Sequence, residues 1–154
     1  MERKILVAVD GSVYSSNALR YVSRLFTDLE DIHFHLFSVV PCGALQPGME
    51  WVDEKDMLTT MRPEVKNRYR GARRYVNEAV LQLGRRGIAP EQVTTSVHLS
   101  RMGVAKDILA EAMSGMYDAL LIGRRGMGMI EEMFMGSVSS TILEKSHSVP
   151  LWVV

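Results

Sequence analysis

Short apolar runs alternate with amphipathic segments along the whole chain. The runs with strand character occupy residues 5–9, 33–40, 93–99, 118–123 and 150–154. Short apolar runs bounded by turn residues are typical of strands that are covered on both faces. Asp10-Gly11-Ser12 ends the first run and Pro41 ends the second. The pattern therefore predicts five strands.

Between the predicted strands, apolar residues recur at the three-and-four spacing of amphipathic helices. Ser15 and Ser16 are the expected caps of the first helix. A long helix is expected to begin near Pro63, since proline suits the first turn of a helix. A third helix is predicted to follow from Val104, and the last covers residues 137–145.

The order of these elements predicts an α/β fold. Strands separated by helices are joined by right-handed crossovers, which give a parallel sheet with helices on both faces. Residues 42–60 show no clear periodicity and contain the turn signal Pro47-Gly48, so this segment is predicted to be irregular. Since no linker or internal repeat interrupts the pattern, we expect one domain over residues 1–154.

Charge and composition disfavour several classes of partner. The 18 lysines and arginines balance 18 aspartates and glutamates, so no overall field favours nucleic acid or an acidic membrane surface. No stretch approaches the ~18 apolar residues of a membrane span, and the first apolar run is too short for a signal peptide. The single cysteine, Cys42, suits a reducing compartment. We expect a cytoplasmic protein that binds neither nucleic acid nor membranes.

The segment 123–137 carries the strongest chemical pattern. It leaves a predicted strand at Gly123, passes two arginines and several glycines, and enters a helix at Ser137. Glycines allow close approach of a ligand and can adopt positive φ, and a helix start offers N–H groups to a phosphate. On the glycines alone, an ordinary turn with Ser137 as helix N-cap is favoured. Neither a Walker loop nor a dinucleotide-binding fingerprint is present.

The spacing of these glycines resembles the nucleotide-binding signature of ATP-binding universal stress proteins. The chain has Gly123-x2-Gly126-x9-Gly136-Ser137, which matches that signature without an offset. Further landmarks of the family follow in order: Ile5 to Ser12, Ser38-Val39-Val40, Arg101 to Ala105 and Ser148 to Val154. Two departures are Arg124-Arg125, where relatives often have Ser-His or Ser-Arg, and Trp152 in place of an aliphatic residue.

This resemblance implies the adenine-nucleotide alpha-hydrolase-like fold, with five parallel strands in the order 3-2-1-4-5. In such a sheet the topological switch point lies between strands one and four, and ligands bind there at the carboxyl ends. Asp10 ends the first predicted strand and Gly123 ends the fourth. The two segments are therefore expected to meet at one crevice.

The resemblance also implies contacts with ATP, or with ADP or AMP in its place. Asp10 would hydrogen-bond the ribose or the base side. Ala8 and Val39 would meet the adenine, and Ile122 and Gly123 would pass along the ribose. Main-chain N–H groups would hold the phosphates in five positions: Arg125, Gly126, Gly136, Ser137 and Val138.

Several assignments stay open in the sequence. Asp10 is either a ligand contact or an ordinary turn residue. Glu131-Glu132 could hold Mg²⁺ against phosphates, although solvated charges are the simpler interpretation. The methionines of the loop fit apolar packing better than a partner surface: Met127, Met129, Met133 and Met135. His33 and His35 share a strand face and are interpreted as sheet histidines, so no metal ligand is assigned.

The function expected from the resemblance is an ATP-binding stress-response module with slow or absent hydrolysis. An ATPase, or a nucleotidyl- or phosphoryl-transfer enzyme that needs a partner, is the alternative, but no catalytic residue is assigned. A phosphoacceptor receiver domain is rejected, since it needs an acidic pair after strand one and strand one ends in Asp10 alone. The apolar last strand predicts a homodimer that buries Trp152 between protomers. The identity of a protein partner is not encoded in any pattern we recognise.

Overall fold

A five-stranded parallel sheet forms the centre of the molecule. The computed structural model describes residues 1–45, 47–126 and 135–154. Its strands are β1 (Arg3–Ala8), β2 (Ile32–Val40), β3 (Val93–Leu99), β4 (Ala119–Ile122) and β5 (Leu151–Val153). They lie in the order β3-β2-β1-β4-β5, and all four pairs are parallel. The predicted fold and strand order are confirmed.

The apolar runs become strands because they are buried on both faces of the sheet. Ile5, Leu6 and Val7 of β1 are at most 3% exposed. Val7 is paired with Leu36 on one side and with Leu121 on the other. Since a parallel sheet is covered by helices on each face, only continuous apolar sequence can occupy its central strands.

Among the described residues, five α-helices cover the two faces of the sheet. They are α1 (Val13–Leu25), α2 (Glu54–Thr60), α3 (Pro63–Arg85), α4 (Val104–Ser114) and α5 (Ser137–Lys145). The first three contribute to the apolar cluster around Ile5 and Val7. The last two pack with Leu6 in a separate cluster on the opposite face. The connections after β1 and β4 therefore leave to opposite sides.

The start of α1 differs from the sequence-based expectation. Ser12, not Ser15 or Ser16, is the N-cap, and its hydroxyl accepts a hydrogen bond from Ser15 N at 3.2 Å. The side chain of Ser15 binds Asp10 instead. The predicted cap was wrong because the Asp10 turn reverses the chain at once, which lets the helix begin at Val13.

The segment 42–60 is not wholly irregular, since it contains the short helix α2. Asp53 caps this helix by accepting a hydrogen bond from Lys55 N at 2.9 Å. Met57 is its one buried residue. A helix of seven residues that buries one side chain has no repeating apolar pattern, which is why the sequence did not predict it.

The side chain of Glu54 links α2 to α3 and β3 by hydrogen bonds. Its carboxylate accepts hydrogen bonds from Tyr69 Oη at 2.9 Å, from His98 Nδ1 at 3.1 Å and from Leu99 N at 3.2 Å. Burial raises the pKa of Glu54, but the bonds from His98 and Tyr69 outweigh it, so the pKa is lowered. The bond to Glu54 raises the pKa of His98 against the effect of burial.

Candidate functional site

A cavity of about 550 Å³ opens at the carboxyl ends of β1 and β4. Because the connections after these neighbouring strands leave to opposite faces, this is the switch point at which α/β sheets bind ligands. The structure brings all ten residues singled out in the sequence to the wall of this cavity. They are Ala8, Asp10, Val39, Ile122, Gly123, Arg125, Gly126, Gly136, Ser137 and Val138.

Asp10 forms the turn between β1 and α1 while it also faces the cavity. Its Oδ1 accepts hydrogen bonds from Ser12 N at 2.9 Å and from Ser15 Oγ at 2.7 Å. Asp10 N donates back to Ser15 Oγ at 2.8 Å. Oδ2 lies on the other side of the carboxylate, next to Gly126. The role of Asp10 in the turn is therefore shown by its Oδ1 contacts, and its contact with a ligand stays a prediction.

Gly126 and Gly123 are glycines because neighbouring elements lie too close for a side chain. A Cβ on Gly126 would come 2.7 Å from Asp10 Oδ2. A Cβ on Gly123 would lie 3.1 Å from Tyr14 Cβ and 3.2 Å from the Tyr14 carbonyl carbon. Neither glycine has the positive φ that the sequence pattern allowed for. Close approach of β1, α1 and the loop after β4 is the reason for both.

Gly136 joins the loop after β4 to the start of α5, and its N–H is already bonded within the chain. Its N–H donates to the Arg124 carbonyl at 2.9 Å. An added Cβ would lie 3.4 Å from Arg125 Cα and 3.6 Å from Gly126 N, which are ordinary contact distances. With φ at −73°, the residue needs no special backbone conformation. It holds the start of α5 against the segment 124–126.

The residues of the first turn of α5 line the cavity. Gly136 is the N-cap and Ser137 is the first helical residue, so the expected capping role of Ser137 was wrong. The first bond within the helix runs from Ser140 N to Gly136 O at 2.8 Å. The preceding N–H groups of an α-helix have no partner inside it, and they carry the positive end of its dipole. Ser139 Oγ ties this turn to the Gly123 carbonyl at 2.8 Å.

Arg125 lines the cavity and has a buried side-chain donor. Its Nη1 donates to Tyr14 Oη at 3.0 Å, and the guanidinium carbon lies 5.6 Å from the centroid of that ring. Its Nε is buried, and no acceptor among residues 1–45, 47–126 and 135–154 hydrogen-bonds it. Nε–H can only donate, and a buried unpaired donor costs about 1–3 kcal/mol. An anionic ligand oxygen would satisfy it.

The rest of the wall was not predicted from the sequence. Apolar side chains of α4 and α5 continue the surface of Ala8, Val39 and Ile122, and they are Val104, Ile108 and Ile142. The opposite wall is one face of α3, made of Arg68, Gly71, Ala72 and Tyr75. A glycine in the middle of a long helical pattern was the available signal for this wall.

Two side chains set apart in the sequence lie outside the cavity. Cys42 Sγ donates to the Ser100 carbonyl at 3.0 Å, and burial raises the pKa of this thiol, which disfavours a reactive thiolate. Both ring nitrogens of His35 lie 2.7 Å from hydroxyls, those of Thr94 and Ser96. Within the described ranges, no three His, Cys, Asp or Glu side chains form a metal-binding group.

Other sequence predictions fall outside the described residues. They concern Glu131-Glu132 and three methionines of the loop, Met127, Met129 and Met133. Across the remainder of the chain, no helix is long and apolar enough to cross a bilayer.

Comparison with known proteins agrees with this architecture. UspA of Lactobacillus plantarum is 16% identical with a TM-score of 0.77, over 99% of this chain and 97% of its own. A universal stress family protein of Arabidopsis thaliana with AMP bound is 16% identical, with a TM-score of 0.60. The match covers 99% of this chain and 90% of the Arabidopsis chain. The Archaeoglobus fulgidus universal stress protein in complex with dAMP is 20% identical, with a TM-score of 0.56. The match covers 98% of this chain and 96% of the Archaeoglobus chain.

The family assignment rests on the sequence as a whole. A search of curated proteins gave no significant match. The model of the universal stress protein family, in contrast, matches residues 1–154. Because that match covers the entire chain, this protein belongs to the universal stress protein family.

Proposed function

We propose that the cavity binds an adenine nucleotide, with ATP as the ligand of the signalling state. The observation that carries this proposal is the pairing of the α5 N-terminus with the buried, unpaired Nε of Arg125. Both features favour the binding of an anion at this place, although the formal net charge of the protein is zero. The AMP bound to the Arabidopsis relative and the dAMP bound to the Archaeoglobus relative support an adenine ligand.

The proposed orientation follows from the chemistry of the wall. The adenine lies against the apolar side chains of Ala8, Val39 and Ile108. The phosphates lie at Gly126, Ser137 and the side chain of Arg125. A hydrogen bond to a charged group contributes about 1.5–3 kcal/mol, so three or four such bonds supply most of the ~8 kcal/mol of micromolar binding.

The proposal gives ATP a binding role with slow or absent hydrolysis. No lysine lines the cavity in the part of the chain that is described, and Asp10 is its one carboxylate there. That carboxylate already accepts two hydrogen bonds of the β1–α1 turn. Mg²⁺ would enter with the triphosphate, whose oxygens are suitable ligands for it. We place the protein in the cytoplasm, where ATP is present and the buried Cys42 thiol stays reduced.

Calorimetric titration of nucleotide-free protein with ATP, ADP, AMP and GTP tests the proposal. Arg125→Lys keeps the charge but removes Nε–H, and we expect its affinity for ATP to fall at least tenfold, about 1.4 kcal/mol. Arg124→Lys is the matched control because Arg124 is exposed and does not line the cavity. Equal affinity of the two variants, or no binding of ATP or AMP by the wild type, contradicts the proposed site.

We also propose that two chains form a twofold dimer through β5. This strand lies at the sheet edge, and its Val153 is 38% exposed. An unpaired apolar edge is an aggregation hazard, which an antiparallel pairing with a second copy removes. Trp152 does not carry this proposal, because its ring stacks on Phe26 of its own chain at 5.8 Å between centroids.

A further inference from the structure

One face of α3 forms a wall of the cavity that the nucleotide-binding signature does not include. Arg68, Gly71, Ala72 and Tyr75 have the spacing i, i+3, i+4 and i+7, so they share one side of the helix. This wall and the first turn of α5 line the same cavity. Its residues are therefore placed to contact a ligand that is bound in the cavity.

Gly71 keeps this wall open. It lies in the interior of a helix of 23 residues, where glycine is a poor choice. An added Cβ would meet no heavy atom of the described residues within 4 Å. Packing against a neighbouring element therefore does not explain the glycine. Gly71 is exposed and lines the cavity, so a large side chain at this position would lie at the cavity wall.

Tyr75 lines the same cavity and carries a buried hydroxyl. The oxygen is buried and makes no hydrogen bond with the residues that the structure describes. The hydroxyls of Ser15 and Ser16 and the carboxylate of Asp10 are near enough to influence it, and burial raises its pKa. Its ring lies 3.7 Å from the position of a Cβ on Gly11. The hydroxyl thus lies beside the turn that ends β1.

The ribose is the part of a nucleotide that fits this position. The phosphate donors belong to α5 and Arg125, and the apolar surface for the base includes Val39. Asp10 lies next to Gly126 on one side and acts electrostatically on Tyr75 on the other. A phenol both donates and accepts, as a sugar hydroxyl does, so the two groups can pair in either direction.

We propose, on the premise that the cavity binds an adenine nucleotide, that the α3 face is the ribose wall of the site. Tyr75 is a specificity-determining residue that hydrogen-bonds a ribose hydroxyl, and Gly71 leaves the space that the sugar needs. The protein then distinguishes ribonucleotides from deoxynucleotides through α3, while α5 and Arg125 hold the phosphate of both.

Calorimetry of wild type and Tyr75→Phe with AMP, 2′-deoxy-AMP and 3′-deoxy-AMP tests the hydrogen bond. We expect wild type to bind AMP about tenfold more tightly than one of the two deoxynucleotides. In Tyr75→Phe, AMP should bind as weakly as that deoxynucleotide, whose own affinity should be unchanged. The assignment of Tyr75 is overturned if Tyr75→Phe still binds AMP more tightly than that deoxynucleotide. It is also overturned if wild type binds AMP and both deoxynucleotides equally well.

Gly71→Leu tests the space in front of α3, with Gly84→Leu as the matched control. Both glycines lie in α3 with nothing within 4 Å of an added Cβ among the described residues, but Gly84 does not line the cavity. We expect Gly71→Leu to lose more than tenfold in AMP affinity while it melts no lower than wild type. Gly84→Leu should bind AMP as wild type does.

The outcomes separate this inference from the proposed function. Equal AMP affinity of Gly71→Leu and wild type overturns the ribose wall and leaves nucleotide binding standing. Loss of AMP binding in Gly84→Leu as well would also overturn it, because the effect would then come from the helix and not from the cavity. Failure of wild type to bind any of the three nucleotides would overturn the proposed function and this inference together.

Discussion

Replacing Asp10 with asparagine and with alanine separates its part in the β1–α1 turn from its part in the cavity. Oδ1 accepts from Ser12 N at 2.9 Å and from Ser15 Oγ at 2.7 Å. Alanine removes both bonds, whereas the carbonyl oxygen of asparagine can still accept them. Both substitutions remove the negative charge beside Gly126 and the ligand. Asparagine therefore tests the ligand contact with the turn in place.

The magnitudes follow from the two bonds. A hydrogen bond to a charged group contributes about 1.5–3 kcal/mol, and the exposure of Asp10 places its bonds at the low end of this range. Losing both should cost about 2–3 kcal/mol of unfolding free energy. For a chain of this size that corresponds to a fall in melting temperature of about 4–12 °C. Losing the ligand bond should weaken nucleotide binding about tenfold.

Thermal melts without nucleotide and titrations with AMP measure the two effects separately. We expect Asp10→Ala to melt lower and to bind weakly. Asp10→Asn should melt within about 3 °C of wild type, since a neutral acceptor loses about 1 kcal/mol or less, and should still bind weakly. Wild-type affinity in Asp10→Asn would refute the ligand contact. A wild-type melting temperature in Asp10→Ala would refute the role of the turn.

Four further substitutions test the loop, α2 and the sheet edge. Gly126→Ala should bind AMP at least tenfold more weakly than wild type, because its Cβ would lie 2.7 Å from Asp10 Oδ2. Gly136→Ala is the control, since its Cβ would make no contact under 3.4 Å, and its AMP affinity should stay within about twofold of wild type. Glu54→Gln should lower the melting temperature most between about pH 4.3 and 6.5, measured against wild type across the pH range. Val153→Asp should reduce the mass measured by light scattering from dimer to monomer without a change in melting temperature.

The pH window follows from the directions of the two pKa shifts. The raised pKa of His98 gives stability that is complete below about pH 6.5, the pKa of an unfolded histidine, and is lost as the pH rises through the folded value. The lowered pKa of Glu54 gives stability that is present above about pH 4.3 and is lost as the pH falls through the folded value. The pair is charged on both sides between these limits.

Each of these expectations has an outcome that contradicts it. Equal AMP affinity of the two alanine variants would show that the contact of Gly126 with Asp10 has no bearing on the ligand. A difference between wild type and Glu54→Gln that is the same at every pH would exclude the ion pair with His98. A wild-type protein that scatters as a monomer at tens of micromolar would end the dimer proposal.

The strands could be predicted because a strand that is buried on both faces appears in the sequence as a short, continuous apolar run. Val93–Leu99 and the helix Ser137–Lys145 have the bounds expected from the sequence, and Ala119–Ile122 is one residue shorter at each end than the predicted 118–123. The cap of α1 could not be predicted, because Ser12 and Ser15 are both good caps and the Asp10 turn decides between them. Local hydrogen bonding of that kind depends on the path of the chain.

Only some walls of the cavity could be predicted from the sequence. The walls made by β1, β4 and α5 follow from residues at the ends of strands, such as Gly123, and from the glycine spacing. The wall made by α3 depends on how a long helix rotates about its axis when it packs on the sheet. Gly71 and Tyr75 face the cavity as a result of that packing, and their spacing alone does not distinguish them from the exposed side of the helix.

Binding of an adenine nucleotide at the carboxyl ends of β1 and β4 is most directly tested by ¹H–¹⁵N NMR of the nucleotide-free protein titrated with AMP. The chain has 154 residues, a size at which single backbone amides can be followed. We predict saturable shifts of the amides of Gly126, Gly136, Ser137 and Val138, with β3 unaffected. No shift at millimolar AMP, or shifts confined to residues outside the cavity, would contradict the proposed site.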